Sequence, residues 1–332
     1  MTMIDSFGRT ISYLRVSVTD RCNMKCLYCR VGDDRITVDN QQLLSFEELT
    51  RLIRIFTELG INKIRLTGGE PLLRKNLVDL IRTLNAIPGL HEVSLSTNAL
   101  LLERFAGELY RSGLKRVNIS LDSLQPDTFA LVTRGGRLDG VLRGIQAAVA
   151  VGLQPVKINM VVMRGVNDHE IPAMIDFARN NGLVLRFIET MPIGEAGARM
   201  DTRHMPAAEI IQKVQACIGG LPLPSIEADV IGNGPANYFC HLETGTTIGI
   251  ISAKSRNFCA TCNRMRLTSR GELVFCLGNT GRIDLREPLR SAVDDDMVRQ
   301  LIAEAVIQKP AGHTFLENHG PGASHAMSKL GG

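Results

Sequence analysis

The run Ser12-Tyr13-Leu14-Arg15-Val16-Ser17-Val18 is β-rich, and Thr19-Asp20-Arg21-Cys22-Asn23-Met24-Lys25-Cys26-Leu27-Tyr28-Cys29 follows it without a break. A strand that opens directly into a C-x3-C-x2-C loop decides how the chain is read. Three thiolates on one short loop can hold three irons of a 4Fe–4S cube and leave the fourth iron open for a ligand. Zinc is the alternative on spacing. A structural zinc site, however, usually takes four protein ligands, and paired two-residue spacings are commoner there.

Outward from this loop, β-rich runs at 12–18, 63–67, 92–97, 116–121, 156–162 and 183–188 alternate with amphipathic stretches at 46–59, 77–86, 101–111, 141–151 and 171–180. This alternation predicts an α/β fold of successive βα units on a parallel sheet. About six units with right-handed crossovers give an incomplete (partial) TIM barrel. In such a barrel a loop after a strand lies on the C-terminal rim, where active sites gather.

After about residue 193 the alternation stops. Residues 194–206 read as a loop and 207–217 as a helix, with turn-rich stretches at 219–224 and 232–235. Residues 247–252, 265–268 and 273–276 read as short antiparallel strands, and 294–307 as a helix with an acidic first turn that suits the helix dipole. An extended tail is expected from 310. The expected division is 1–225, the partial barrel, and 226–332, a smaller C-terminal region.

The 332 residues suffice for a barrel with an appendage, and 44% hydrophobic with 22% charged residues is ordinary for a globular protein. No apolar run reaches transmembrane length and no secretory pattern is visible, so a cytoplasmic location is expected. Six of the eight cysteines fall in two tight sets while Cys217 and Cys240 stand alone, which favours metal over a disulfide framework. A net charge of +4 is too small to imply nucleic acid.

A second glycine-bearing signal follows one βα unit later, in Leu66-Thr67-Gly68-Gly69-Glu70-Pro71. Glycines there let the backbone approach a ligand closely. Near the other end, Cys259, Cys262 and Cys276 form C-x2-C-x13-C, again three ligands rather than four. Cys240 or a histidine could complete a zinc site, so zinc stays open here too. In Cys262-Asn263-Arg264-Met265-Arg266-Leu267 an extended backbone puts Arg264 and Arg266 on one face, and two guanidiniums can grip phosphate oxygens bidentately. Arg15, Arg65, Lys157 and Arg186 also fall on strands. Pointing inward together, they would form a polyanion channel that fits a triphosphate better than a nucleic acid backbone.

On the C-x3-C-x2-C loop and the G-G-E-P turn the chain resembles the radical S-adenosylmethionine (SAM) enzymes. The resemblance implies that the open iron of the first cluster binds SAM and that one-electron reduction releases a 5′-deoxyadenosyl radical. It implies SAM contacts at Tyr28, Gly69, Ser120 and Met191. Further strings narrow it: 14–22, 64–71, 118–124, 186–189, Phe258-Cys259-Ala260-Thr261-Cys262-Asn263-Arg264, and the terminal Gly331-Gly332. These extend the likeness over essentially the whole chain and point to the radical SAM branch that begins molybdenum cofactor biosynthesis.

That branch implies a lyase that takes hydrogen from C3′ of GTP and joins C3′ to C8, giving (8S)-3′,8-cyclo-7,8-dihydroguanosine 5′-triphosphate. It implies two 4Fe–4S clusters, on Cys22, Cys26 and Cys29 and on Cys259, Cys262 and Cys276, with guanine at the second open iron. GTP contacts are implied at Arg15, Arg65, Ser96, Lys157, Arg264, Met265 and Arg266, and the Gly-Gly tail is implied to enter the active site. No acid–base residue is expected. Expected partners are GTP, an electron donor and a downstream pathway enzyme, with a homodimer admitted and neither nucleic acid nor membrane.

Three positions depart from the pattern: Arg30-Val31 after Cys29 where Met-Pro is common, Ala99 for a glycine, and Arg270 where an acid is common. The seven histidines show no ligand or triad spacing and read as surface or loop residues, with 313–325 as a candidate lining of the tail path. Two rivals remain: a peptide-modifying radical SAM enzyme with an auxiliary cluster, and a zinc-dependent nucleic-acid-binding protein.

Overall fold

Six parallel strands carry the molecule: β1 (Tyr13–Ser17), β2 (Lys63–Thr67), β3 (Glu92–Thr97), β4 (Val117–Ser120), β5 (Lys157–Val162) and β6 (Val184–Glu189), hydrogen-bonded in that order. The computed structural model describes residues 2–31, 40–218, 225–226, 234–241, 244–291, 294–315 and 327–331. Residue alternation sorts each strand into two faces. Leu14, Val16, Ile64, Leu66, Leu95 and Ile119 are buried in the core under the helices. Arg15, Arg65, Ser96, Ser120, Asn159 and Arg186, from the alternate positions, line a central cavity. The six βα units of a partial barrel are therefore present.

The helices follow from amphipathic spacing and local capping. In α1 (Phe46–Glu58), Ser45 and Glu48 form a capping box, and Leu49, Leu52, Ile53, Ile55 and Phe56 make the buried stripe. The helices α2 (Leu77–Asn85), α3 (Leu102–Arg111), α5 (Leu138–Ala150) and α6 (Ile171–Asn180) cover the sheet in the same way. Between α3 and α5 stands α4 (Pro126–Thr133), which the amphipathic pattern had not marked. It has proline at its start and only Phe129, Val132 and Thr133 buried. A short helix, α7 (Gly194–Arg199), occupies part of the expected loop at 194–206, ahead of α8 (Ala207–Cys217).

The later strands extend the same sheet at both ends. The strands β7 (Ser225–Ile226), β8 (Asn237–Cys240) and β9 (Thr247–Ile251) are antiparallel to one another, as are β10 (Arg264–Leu267), β11 (Glu272–Val274) and β12 (Arg282–Asp284). In addition β9 pairs parallel with β6, and β10 pairs parallel with β1. One twelve-stranded sheet results, with the second cysteine set brought beside the first strand. The helices α9 (Arg286–Arg290) and α10 (Asp295–Ile307) complete the order, and the Asp294 side chain caps α10 by accepting from Met297 N. The expected turn at 219–224 lies outside the described residues, as does half of that at 232–235.

Candidate active site

The first cysteine loop is fixed by main-chain bonds from three sides. Cys29 N and Arg30 N both donate to Cys26 O, at 2.9 and 3.1 Å, and close the turn. Lys25 N and Leu27 N donate to Thr133 O and Val132 O, so the end of α4 carries the loop. Gly69 N donates to Thr19 O at 2.8 Å and Glu70 N to Arg21 O at 2.7 Å. A Cβ on Gly69 would stand 2.0 Å from Arg21 O, which no side chain permits. The close approach expected at this glycine is therefore made first to the cysteine loop's own backbone.

Two buried carboxylates tie this loop to the neighbouring rim. Glu70 accepts from Thr97 Oγ1 and Asn98 N, both at 2.7 Å, and from Leu72 N at 3.1 Å; burial lifts its pKa to about 7 against those bonds. Asn98 Nδ2 then donates to Asn23 Oδ1 at 2.7 Å, inside the cysteine loop. Asp122 accepts from Tyr28 Oη at 2.7 Å and Val161 N at 2.8 Å, and burial lifts it to about 6. Burial, with Asp122 and the other two cysteines, pushes the Cys26 thiol well up; burial likewise raises Cys22. Ala99, one of the three departures, holds left-handed backbone at φ 63° and stays buried beside this network.

The second set sits among cations. Interaction with His313 holds Cys259 below its ordinary value. Burial alone would raise Cys262, but Arg264 and Lys309 outweigh it. Burial raises Cys276. From this set runs a row of guanidiniums in strand register, Arg266 on β10 opposite Arg15 on β1, which is opposite Arg65 on β2. Burial and the neighbouring Arg264 bring Arg266 down to about 10, and burial with Arg266 lowers Arg15. Across the cavity stands Arg186, where Gly249 makes room: a Cβ there would lie 2.9 Å from Arg186 Cγ.

The C-terminal tail returns to this row. Leu330 and Gly331 are buried, and Arg266 Nη1 donates to Gly331 O at 2.8 Å. Gly331 has φ 73°, and a Cβ there would stand 2.6 Å from Thr67 Oγ1, so both conformation and space require glycine. Gly332 and the stretch 316–326, which includes His319 and His325, lie outside the described residues.

One cavity of about 320 Å³ gathers nearly all the sequence-predicted residues. Its walls include the six clustered cysteines, then Tyr28, Gly69, Ser120 and Met191, then Arg15, Arg65, Ser96, Arg264, Met265 and Arg266. Lys157 is not in the wall. It is buried, with Nζ 3.5 Å from Tyr238 Oη, and burial followed by Arg186 brings its pKa down to about 6. Cys217 is exposed and Cys240 is also outside the wall. Sequence reasoning missed Asn98, Asp122, Glu189, Lys309 and His313 as parts of the wall. Asp122 and Glu189 lay within quoted strings and His313 at the start of the expected tail path; Asn98 and Lys309 left no signal.

The residues fit the groups that the sequence implied. None of the six cysteines forms a disulfide, and three stand at each end of the cavity. Among the described residues no three ligating side chains converge on a point, as a single ion would need. A cube spreads its thiolates over different irons, so its demand is different. Asn159 Oδ1 and Arg186 Nε, both on wall residues, are buried without a hydrogen-bond partner among the described residues, which suits a polar ligand.

Partial barrel, rim loop and thiols together define a radical SAM enzyme. The sequence pattern of the radical SAM superfamily matches residues 16–178, and that described as Molybdenum Cofactor Synthesis C matches 183–315. The chain is 45% identical to the GTP 3′,8-cyclase of Hydrogenovibrio crunogenus, covering 100% of both chains. It is 46% identical to that of Heliobacterium modesticaldum, covering 99% of this chain and 100% of the relative. The chain belongs to the GTP 3′,8-cyclase family. Its fold is similar to that of SuiB of Streptococcus suis bound to S-adenosylmethionine, with TM-score 0.62 at 15% identity over 89% of this chain and 69% of that one.

Proposed function

We propose that the chain converts GTP to 3′,8-cyclo-7,8-dihydro-GTP, the first step of molybdenum cofactor biosynthesis. The observation that carries this reading is the in-register row Arg266, Arg15 and Arg65 beside the second cysteine set, in the cavity that also holds the first. When bound and reduced by an external electron donor, the cluster on Cys22, Cys26 and Cys29 supplies the electron that cleaves SAM to the radical that takes hydrogen from C3′ of GTP.

The protein's own part is positioning and charge. Gly69, Tyr28, Ser120 and Met191 line the SAM end, and Arg15, Arg65, Arg264 and Arg266, with Ser96 and Met265, line the triphosphate and sugar path. Lys157, buried with Nζ 3.5 Å from Tyr238 Oη and close enough to feel Arg186, is a further GTP contact in this reading. Cys259, Cys262 and Cys276 would hold the second cluster, beside the guanidinium row on the guanine side of the cavity. No side chain is assigned as acid or base. Residues 1–225 form the SAM barrel and 226–332 carry the second cluster and tail. Among the described residues no helix is long and apolar enough to cross a membrane; we place the enzyme in the cytoplasm, handing product to a downstream enzyme, and leave room for a homodimer.

Anaerobic incubation with SAM, GTP and a strong reductant tests the reading. The expected result is 5′-deoxyadenosine formation stimulated by GTP, with a cyclic nucleotide product. Formation of 5′-deoxyadenosine indifferent to GTP would refute the substrate and leave the radical SAM class standing.

A further inference from the structure

Residues 309–315 pack on the second cysteine set and line the same cavity beside it. Lys309 is 2% exposed and donates from Nζ to Phe275 O at 2.9 Å, one residue before Cys276. A Cβ on Gly312 would lie 3.6 Å from Cys259 Sγ, so the strap's backbone itself reaches that ligand. His313 stacks on Phe315 with ring centroids 4.1 Å apart and 25° between planes. Its Nδ1 accepts from Phe315 N at 3.4 Å. Its Nε2 is buried, and the ring faces the Cys259 sulfur and the Ala253 backbone.

Both the ring and the backbone N–H of His313 act on the Cys259 sulfur. Arg9 fixes the strap in place. It is 7% exposed, donates from Nη1 to Cys259 O and Ala311 O at 2.8 Å and from Nη2 to Pro310 O at 2.6 Å, and is itself held by Asp5 at 2.6 Å.

Fixed positive charge and N–H···S bonds stabilise the reduced, more negative state of an iron–sulfur cluster. We propose that Lys309 and His313 are positioning residues that raise the reduction potential of the second cluster, held in place by the Arg9 clamp. The inference rests on the reading that Cys259, Cys262 and Cys276 hold a cluster.

The test is an anaerobic redox titration of the full-length holoprotein, following both reduced clusters by electron paramagnetic resonance. SAM is added to separate the two spectra, since it alters one of them. In Lys309→Met and in His313→Phe the second midpoint is expected to move to more negative potential, with the first unmoved. Lys309→Arg and His313→Gln, which keep the charge and an N–H, are expected to return it toward the unsubstituted value. An unmoved second midpoint at full iron loading, or an equal shift of both, overturns the proposal. If Lys309→Met fails to load its second cluster, His313→Phe decides alone, because phenylalanine keeps the stack on Phe315. One cluster's iron and one reduced signal in the unsubstituted protein would instead overturn the cluster assignment, so the two failures are distinct.

Discussion

The two cysteine sets face one cavity from opposite electrostatic surroundings. Around the first, burial and then Asp122 push Cys26 up; burial raises Cys22, with the Met24 N–H opposing, Glu70 adding and Arg30 opposing. Around the second, His313 holds Cys259 down, and Arg264 with Lys309 holds Cys262 down; only Cys276 is raised, by burial. Negative surroundings disfavour adding an electron, so a cluster held at the first set would be the harder to reduce. That suits cleavage of a sulfonium bond. Positive surroundings suit a site that holds a polyanion and does not need to be strongly reducing. The ligands match in charge as well: the cationic sulfonium belongs near the carboxylates and the triphosphate near the guanidiniums.

The largest expected effects come from removing one set at a time. Cys26→Ala should abolish 5′-deoxyadenosine formation altogether. Cys276→Ala should lose the cyclic product while residual 5′-deoxyadenosine persists, since the first loop is untouched. Chromatographic assay of both products, with iron analysis, separates the two roles. Equal loss of 5′-deoxyadenosine in both variants would mean that the sets work as one unit and would break the comparison.

Next comes the guanidinium row. A charge-assisted hydrogen bond contributes about 1.5–3 kcal/mol, and about 1.4 kcal/mol is tenfold in affinity. Arg266→Ala should therefore weaken GTP binding roughly ten- to hundredfold while leaving SAM binding near its original value. Isothermal titration with each ligand under anaerobic conditions reads this directly. Similar losses for both ligands would show that the row supports the cavity as a whole.

A smaller effect tests the carboxylate side. Asp122→Asn removes one buried negative charge near Cys26 and keeps an oxygen acceptor for Tyr28 or Val161. The first midpoint should move to less negative potential and the second should stay. The same substitution has a pH signature. Asp122 has its pKa raised to about 6 in the folded protein, above its value of about 3.9 when unfolded. Its contribution to stability is full below the unfolded value and is lost as pH rises through about 6. Denaturation midpoints between about pH 4 and pH 7 should fall more steeply with rising pH in the parent than in Asp122→Asn.

How the sequence disclosed this site depended on range. The strands at 63–67 and 92–97 were legible to the residue, because period-two burial is written locally. The cysteines, the Gly-Gly turn and the Arg264/Arg266 face were legible because their spacing is local too. The short helix α4 was not, since eight residues with three buried positions make a weak stripe, although Pro126 at its start was a usable signal. The parallel pairing of β10 with β1 was hidden, because about 250 residues separate them and no short-range pattern encodes the partner. The electrostatic contrast was hidden for the same reason. Lys309, His313 and Asp122 become neighbours of cysteines only when the sheet curls and the tail returns.

The smallest expected effect lies where the two regions touch. Asp20, in the first cysteine loop, is buried and receives Arg270 Nε at 3.2 Å and the Ser269 hydroxyl, from the turn between β10 and β11. This gives a physical sense to the arginine at position 270. Arg270 and Ser269 hold the turn of the β10–β11 hairpin, whose other end carries the second set, against the loop carrying the first. Arg270 is about one-third exposed, so its pairing is screened. Arg270→Ala should destabilise the folded protein by only about 0.5–1 kcal/mol. Arg270→Glu should cost more, because it sets two like charges together with one of them buried. Urea denaturation of anaerobic holoprotein would rank the two variants. If Arg270→Glu equals Arg270→Ala, Asp20 is held by Ser269 alone, and the two cysteine regions are joined by the sheet rather than by this ion pair.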